Sequence, residues 1–390
     1  MKYKVLVNAT TLVIGGGIQI GISFIEHASR RDITDIDFVF AVSRALYDNL
    51  SAELKRDLRV KVFAVPPARI IRGHKSRSLL KSLEREFQPH IVYTLGFPSY
   101  TRFRNVEVGR YTNPWEICPT PLAYSTLSLN QRVIRFLMTQ YRLLWAHRGQ
   151  FLETQTEAAK SGIMARLSVA GDRIKVIPNA PNPRFLSDKQ VGLPENRTGK
   201  SRIFCLSADY THKNLPIIPA VAERLKNVHR YRDCIFILTI PEGGHVYREV
   251  QRLSRKLGVV DMVQNVGPLR MEECIALYRD ADIVFLPTLL EVFSATYIEA
   301  MAMSKPIVTT DLDFARDVCG DAALYYSPTS PSAAAQAIVA LLRDTDLQAE
   351  LIKRGGRRLN AFPDAEEKHR MVIDWLREIA AQSCHYANPA

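Results

Sequence analysis

The sequence predicts an α/β protein built from two doubly wound domains, each a parallel sheet covered by helices on both faces. Three observations carry this. At 390 residues the chain is about twice the ordinary length of one domain. Short apolar strands alternate with helical patterns in both halves, the arrangement that yields parallel sheets. That rhythm stops and restarts across a Pro- and Asn-rich stretch from Asn179 to Arg202, which reads as a linker. An apolar content of 47% and a charged content of 24% are those of a globular chain and exclude disordered and collagen-like classes.

In the first half KYKVLVNA, residues 2–9, reads as a buried strand, GGGIQIGISFIEHASRR as a glycine loop opening a helix, and DIDFVFAVS as a second strand. HIVYTLGF continues the alternation, RLLWAHRGQFLETQTEAAKSGIMARLSV is helix-rich, and IKVIPNAPNPRF closes the half in Pro and Asn. In the second half RIFCLSA, CIFILTI, MVQNVG, DIVFLPT and KPIVTTD read as five buried strands, separated by helical patterns such as MEECIALYRDA and AAAQAIVALLRD. The expected domains are residues 1–185 and 186–363. A last helix, about 364–382, carries an apolar stripe of Met371, Trp375, Ile379 and Ala380 that either domain could receive.

Charge divides the halves. Residues 1–195 hold 28 Lys and Arg against 16 Asp and Glu, whereas the remainder holds 24 against 24. The basic half is therefore expected to meet something anionic. Two stretches concentrate the charge: RVIRFLMTQYRLLWAHR, with Arg132, Arg135 and Arg142 among Phe136, Leu137 and Trp145, and RIIRGHKSRSLLKSLERE, with Arg69, Arg72, Lys75, Arg77 and Lys81. Basic residues beside apolar ones suit an anionic membrane surface; a core-facing helix with a solvated basic face is the plainer alternative, and a nucleic-acid surface a third. No run of 18 apolar residues exists and the N-terminus enters a strand directly, so the expected location is the cytoplasm, peripherally on the inner face of the membrane. Six cysteines without a CxxC pair read as reduced packing residues rather than metal ligands.

The most informative stretch is LPTLLEVFSATYIEAMAMSKPIVTTDLD, residues 286–313. DIVFLPT is a strand and TYIEAMAM a helix, so LLEVFSA is a loop at the ligand edge of the second sheet. Backbone N–H groups of residues 293–296 then sit at a helix N-terminus that favours a phosphate, with the small Ser294 permitting close approach. Glu291 and Glu299 flank that anion site, and carboxylates there suit the hydroxyls of sugars. The competing reading of Glu299 is a capping box with Thr296. SADYTHKNLP sets His212, Lys213 and Asn214 at a second strand-to-helix loop of the same edge, where a lysine can reach a diphosphate.

These residues, with IKVIPNA and GPLRMEECIALYRDADIVFLPT, resemble the family 4 glycosyltransferases, retaining enzymes of the GT-B fold, whose two Rossmann-like domains face across a cleft. The resemblance implies Lys213 on the donor diphosphate, Glu299 on the ribose hydroxyls and Glu291 on the donor sugar, Glu291 and Lys213 being the catalytic pair. It further implies that Phe293, Ser294 and Ala295 offer backbone N–H groups, that His212 assists, and that Gly267 and Leu269 lie near the base. Gly15, Gly16 and Gly17 resemble the family's N-terminal glycine pair, on the acceptor side or at the phosphate. Two departures stand out: Ala208 occupies the place of a common arginine, and Asn113 or Trp115 stands where a histidine is usual. The implied activity is retaining transfer of a sugar from a UDP or GDP sugar to a hydroxyl acceptor on a lipid-linked or growing surface polysaccharide, lipopolysaccharide included, with no cofactor, no metal and no nucleic acid. Rival readings are a sugar-nucleotide epimerase of the same fold, a metal-dependent GT-A enzyme using Asp35 and Asp37 or Asp311 and Asp313, and a basic nucleic-acid-binding protein.

Overall fold

Apolar runs too short for helices become the central strands of two parallel sheets in the computed structural model of the protein, which describes residues 2–30, 32–147, 149–187 and 199–387. Each sheet belongs to its own unit. The first unit comprises Met1–Ile117, Ile134–Pro178 and Glu366–Ala390, the second Cys118–Val133 and Asn179–Ala365.

The first unit holds β1 (Tyr3–Ala9), β2 (Ile36–Ser43), β3 (Val60–Phe63), β4 (Ile91–Thr94), β5 (Val106–Arg110), β6 (Phe151–Thr154) and β7 (Ile174–Val176). They lie in the order β3-β2-β1-β4-β5-β6-β7, every pair parallel, with Tyr3 beside Ile36 and Val5 beside Ile91. The second unit holds β8 (Ser201–Cys205), β9 (Cys234–Leu238), β10 (Val263–Asn265), β11 (Ile283–Leu286), β12 (Ile307–Thr310) and β13 (Ala323–Tyr326) in the order β10-β9-β8-β11-β12-β13, again parallel.

Five strands escape the sequence pattern, one of them the three-residue β7 in the segment read only for its Pro and Asn. β3 is an edge strand whose Lys61 and Val62 are exposed, so it shows no apolar run. β5 and β6 bury charge instead of hydrocarbon: Arg110 Nε donates to Glu153 Oε1 at 3.1 Å, Tyr93 donates to Glu153 Oε2 at 2.5 Å, and Thr94 donates to Glu107 at 2.7 Å. The FLET of β6 thus sits inside a stretch that reads as helix-rich. β13 adds a sixth strand to the second sheet, where the pattern shows five.

The units also divide differently from the boundaries expected at 185 and 186. Residues 118–133 and 179–185 group with the second unit, whose core includes Phe185. Much of the stretch read as a linker, residues 188–198, lies outside the described residues. The last helix, Ala365–Ala387, joins the first unit: Val372, Ile373, Trp375, Leu376, Ile379 and Ala380 pack with Val5, Val7, Phe24 and Ile25, and Arg377 clasps Asp35 through two 2.7 Å hydrogen bonds. Truncating a fully buried core leucine costs about 2–5 kcal/mol. Leu376→Ala is expected to lower the urea unfolding free energy by that amount, whereas Leu144→Ala, at a position 69% exposed, changes it by less than about 0.5 kcal/mol; equal effects would show that the last helix does not complete this core.

Candidate functional site

In the second sheet the order reverses between β8 and β11, so the loops leaving these neighbours diverge and open a crevice at the carboxyl edge. The loop after β8 makes a 3-10 turn, Thr211–Lys213, and Asn214 follows in the left-handed region at φ 55°, a conformation asparagine tolerates. Lys213 Nζ thereby reaches Glu291 Oε1 in the loop after β11, forming an ion pair whose side chains are only 18% and 14% exposed. Leu289 N–H donates to the His212 carbonyl at 2.8 Å and ties the two loops together. The His212 ring lies parallel to Tyr210 at 5.5 Å.

Beyond Glu291 the chain buries Val292, Phe293 and Ser294, then starts the helix Ala295–Ala302. Ser294 holds the N-cap position, yet its side chain caps no N–H, so the first-turn donors and the positive end of the dipole stay available to an anion. Glu299 makes no capping box with Thr296. It accepts a 3.0 Å hydrogen bond from the buried Tyr278 hydroxyl. Burial raises the proton affinity of Glu299, and the Tyr278 bond partly offsets this. Glu299 and Leu269 line a cavity of about 420 Å³ with Ala208, Asp209 and Arg270.

The first sheet reverses between β1 and β4, and a cavity of about 740 Å³ opens at that edge. Thr11, after β1, donates to the Gly96 carbonyl, after β4, at 2.6 Å; a Cβ on Gly96 would lie 2.4 Å from Thr11 Oγ1, so only glycine permits this approach. The wall carries Glu116, 1% exposed, which accepts from Asn113 Nδ2 at 2.6 Å and Arg142 Nη1 at 2.7 Å. Burial pushes its carboxyl up and the Arg142 guanidinium pulls it back. Tyr100, also in the wall, stacks on Tyr141 at 5.8 Å, and burial pushes its phenol up to about 12.

The structure brings Lys213, Glu291, His212 and the Phe293–Ala295 turn to one switch point, and Glu299 and Leu269 to one cavity wall. Gly267, at φ 78°, turns the chain after β10 two residues before Leu269. Asn113 lines the first-unit cavity, whereas Trp115 is 5% exposed beneath Arg135, 4.8 Å from its ring, and lines none of these cavities. Gly15 is the N-cap of the helix Gly16–Ala28; Thr11 and Val13, rather than Gly15, Gly16 or Gly17, reach the cavity. Glu116 and Tyr278 were not read from the sequence, and Arg142 only as part of a basic stretch. Nothing in the spacing marks Tyr278, which lies 21 positions before Glu299 and meets it only through folding.

In each acidic pair considered for a metal, one carboxylate is engaged by an arginine. Asp35 faces Arg377 with two bonds, and Asp311 faces Arg316 at 2.5 and 2.9 Å. Among the described residues there is no group of three or more His, Cys, Asp or Glu side chains placed to hold a metal ion. The helix Leu129–Ala146 leaves Leu129, Val133, Phe136, Leu137 and Leu144 more than half exposed, and no helix of the described residues is long and apolar enough to cross a membrane.

Two parallel α/β units, each with a crevice at its own switch point, define the GT-B fold. Residues 190–358, a little under half of the chain, match the family model described as Glycosyl transferases group 1. A phosphatidyl-myo-inositol mannosyltransferase of Mycobacterium leprae is 29% identical over 202 residues, 50% of this chain; the match spans about half, 52%, of that relative's length. A glycosyltransferase structure from Rickettsia africae superposes with a TM-score of 0.72 at 18% identity, covering 97% of this chain and 98% of its own. Anabaena Alr3699/HepE in complex with UDP gives a TM-score of 0.65 at 16% identity, covering 97% of this chain and all of its own.

The raised proton affinity of Glu299 has a stability signature. A carboxyl whose folded-state pKa exceeds its unfolded value contributes stability that is complete below the unfolded pKa, about 4.3, and is lost as pH rises through the folded value. Glu299→Gln is therefore expected to be more stable than the parent at pH 8 and indistinguishable from it at pH 4, by urea denaturation. A variant no more stable than the parent at pH 8 would place Glu299 in an ordinary solvated setting.

Proposed function

We propose that this chain transfers a sugar from a nucleoside diphosphate, of UDP or GDP type, to a hydroxyl of a lipid-linked or growing surface glycan, with retention at the anomeric carbon and without a metal. The observation that carries the reading is the meeting of Lys213 and Glu291 at the switch point of the second sheet, beside the open helix N-terminus at Ser294. A cation and N–H donors suit a diphosphate, and a carboxylate beside them suits sugar hydroxyls. The family-model match over residues 190–358, and a UDP complex among the structural neighbours, support the donor class.

In this reading Lys213 and the first turn of the helix stabilise the charge that grows on the diphosphate as the C1–O bond breaks. The acceptor oxygen bonds C1 on the same face, and its proton passes to the leaving phosphate, so no enzyme nucleophile is needed. Glu291 orients the sugar and Glu299 the ribose; Phe293, Ser294, Ala295, His212, Gly267 and Leu269 complete the donor site. The first-unit cavity, with Asn113 in its wall and Gly15, Gly16 and Gly17 nearby in sequence, receives the acceptor. The engagement of Asp35 by Arg377 and of Asp311 by Arg316 favours the metal-independent course over one built on those carboxylates. The exposed apolar and basic face of the helix Leu129–Ala146 supports a peripheral place on the cytoplasmic face of a membrane.

The test is unfolding stability in EDTA against UDP, GDP, ADP, CMP and NAD. A ligand binding only the folded state at 100 times its Kd adds about 2.7 kcal/mol. One nucleoside diphosphate is expected to stabilise the chain, and no response to any of them would sink the donor site. Lys213→Ala and Glu291→Ala should each lower turnover about 100-fold or more with folding intact; parental rates in both would remove them from the reaction.

A further inference from the structure

The loop between β3 and the helix His74–Phe87 is held from inside. Arg77 donates to the carbonyls of Pro67 at 2.6 Å, Arg69 at 3.1 Å and Ile70 at 2.9 Å, and Ser76 Oγ donates to Val65 O at 2.6 Å. Gly73 N–H adds a bond to Arg69 O at 2.9 Å, and a Cβ on Gly73 would lie 2.4 Å from that oxygen. With its carbonyls drawn inward, the loop displays its side chains outward. Ile70 is 69% exposed and Ile71 85%, set between the exposed Arg69 and Arg72. All four line the 740 Å³ cavity of the first unit.

This arrangement is costly without a ligand. Two adjacent isoleucines in water gain nothing from burial, and among the described residues no salt bridge engages Arg69 or Arg72. The acid in the cavity wall, Glu116, is already engaged by Arg142. The loop is nevertheless ordered by a bonded arginine and a glycine, so the entropy of presenting these side chains is spent before any ligand arrives. Paired guanidinium forks match phosphate oxygens, and interleaved isoleucines match hydrocarbon. The apolar surface continues outward along the helix Leu129–Ala146, from Met138 in the cavity wall, 41% exposed, to Ile134 one turn earlier, 57% exposed.

We infer that this cavity takes an acceptor whose phosphate ester is held by Arg69 and Arg72 and whose apolar chain lies over Ile70, Ile71 and Met138. The inference rests on the glycosyltransferase reading for the word acceptor, but the binding itself does not depend on it. Calorimetric titration of the full chain with decyl phosphate, kept below its micelle concentration, decides the matter, with inorganic phosphate and decanoate as the two halves of the same chemistry. Decyl phosphate should bind saturably, with one site, at least tenfold more tightly than either half. The R69A/R72A double variant should lose at least tenfold of that affinity, and K75A, outside the cavity, should lose none.

Inorganic phosphate binding as tightly as decyl phosphate would overturn the apolar part and leave a free-phosphate site. Decanoate binding as tightly would overturn the phosphate part. Equal affinity of R69A/R72A and the parent would overturn the assignment to these arginines. Because both arginines are exposed, the double variant should keep the parental unfolding transition and the same stabilisation by nucleoside diphosphate. That second readout separates the two failures: loss of nucleotide stabilisation in the parent itself strikes the donor reading, whereas the titration alone judges this cavity.

Discussion

Everything functional in this chain depends on one constraint of parallel sheets: a strand order that grows outward in both directions from a central pair. Right-handed crossovers then put the helices following the two central strands on opposite faces. The loops after β1 and β4, and those after β8 and β11, are forced apart at the carboxyl edge. Thr11 and Gly96 mark the first parting, Lys213 and Glu291 the second. Neither crevice requires a special sequence to exist; each requires only short apolar strands in that order. The sequence then decides what the diverging loops carry.

What lines the cavities beside these crevices runs against stability. A fully buried Glu116 needs both Asn113 and Arg142 to satisfy one of its oxygens, and Glu299 has the Tyr278 hydroxyl as its partner in a setting that disfavours its charge. Elsewhere in the first unit Arg110 of β5 and Glu153 of β6 are bonded to each other, so the cost of burying them is contained within the sheet. On the proposed reading that difference separates the two roles: charge paired inside the sheet is structural, while charge turned toward a cavity serves a ligand.

That difference also governs how much could be read in advance. Strands of the second sheet are built around short apolar runs, such as CIFIL in β9 and IVFL in β11, and five of six were legible, as was the loop holding Glu291 through Ala295. Lys213 and His212 were placed correctly at a strand-to-helix turn because that sheet edge follows from the alternation alone. β5 and β6 were hidden by Glu107, Arg110 and Glu153, whose burial depends on partners distant in sequence. Glu116 and Tyr278 were invisible for the same reason: their roles come from Arg142 and Glu299, 26 and 21 positions away. Sequence periodicity reports a residue's own face, whereas a buried polar group is defined by what meets it. Thr296 and Glu299 show the converse, a local pattern for a capping box that the fold overrides because Tyr278 offers a buried donor.

The Lys213–Glu291 pair bears on selectivity as well as on charge. On the proposed reading, a free sugar brings no anion to compete for Lys213, so Glu291 stays bonded to the ammonium and is a poor acceptor for hydroxyls. A phosphate alone can draw Lys213 away, but it leaves Glu291 shielded from water without a donor, an arrangement that costs about as much as the bond gained. Only a ligand carrying both groups at the right separation satisfies both residues together. The ion pair thus couples recognition of the two halves of the donor, and its exposures of 18% and 14% set the strength of that coupling, since solvent would screen a more open pair and uncouple them. On that reading one part-buried contact between two loops, placed by a reversal in strand order, makes a sugar nucleotide a better ligand than the sum of its parts.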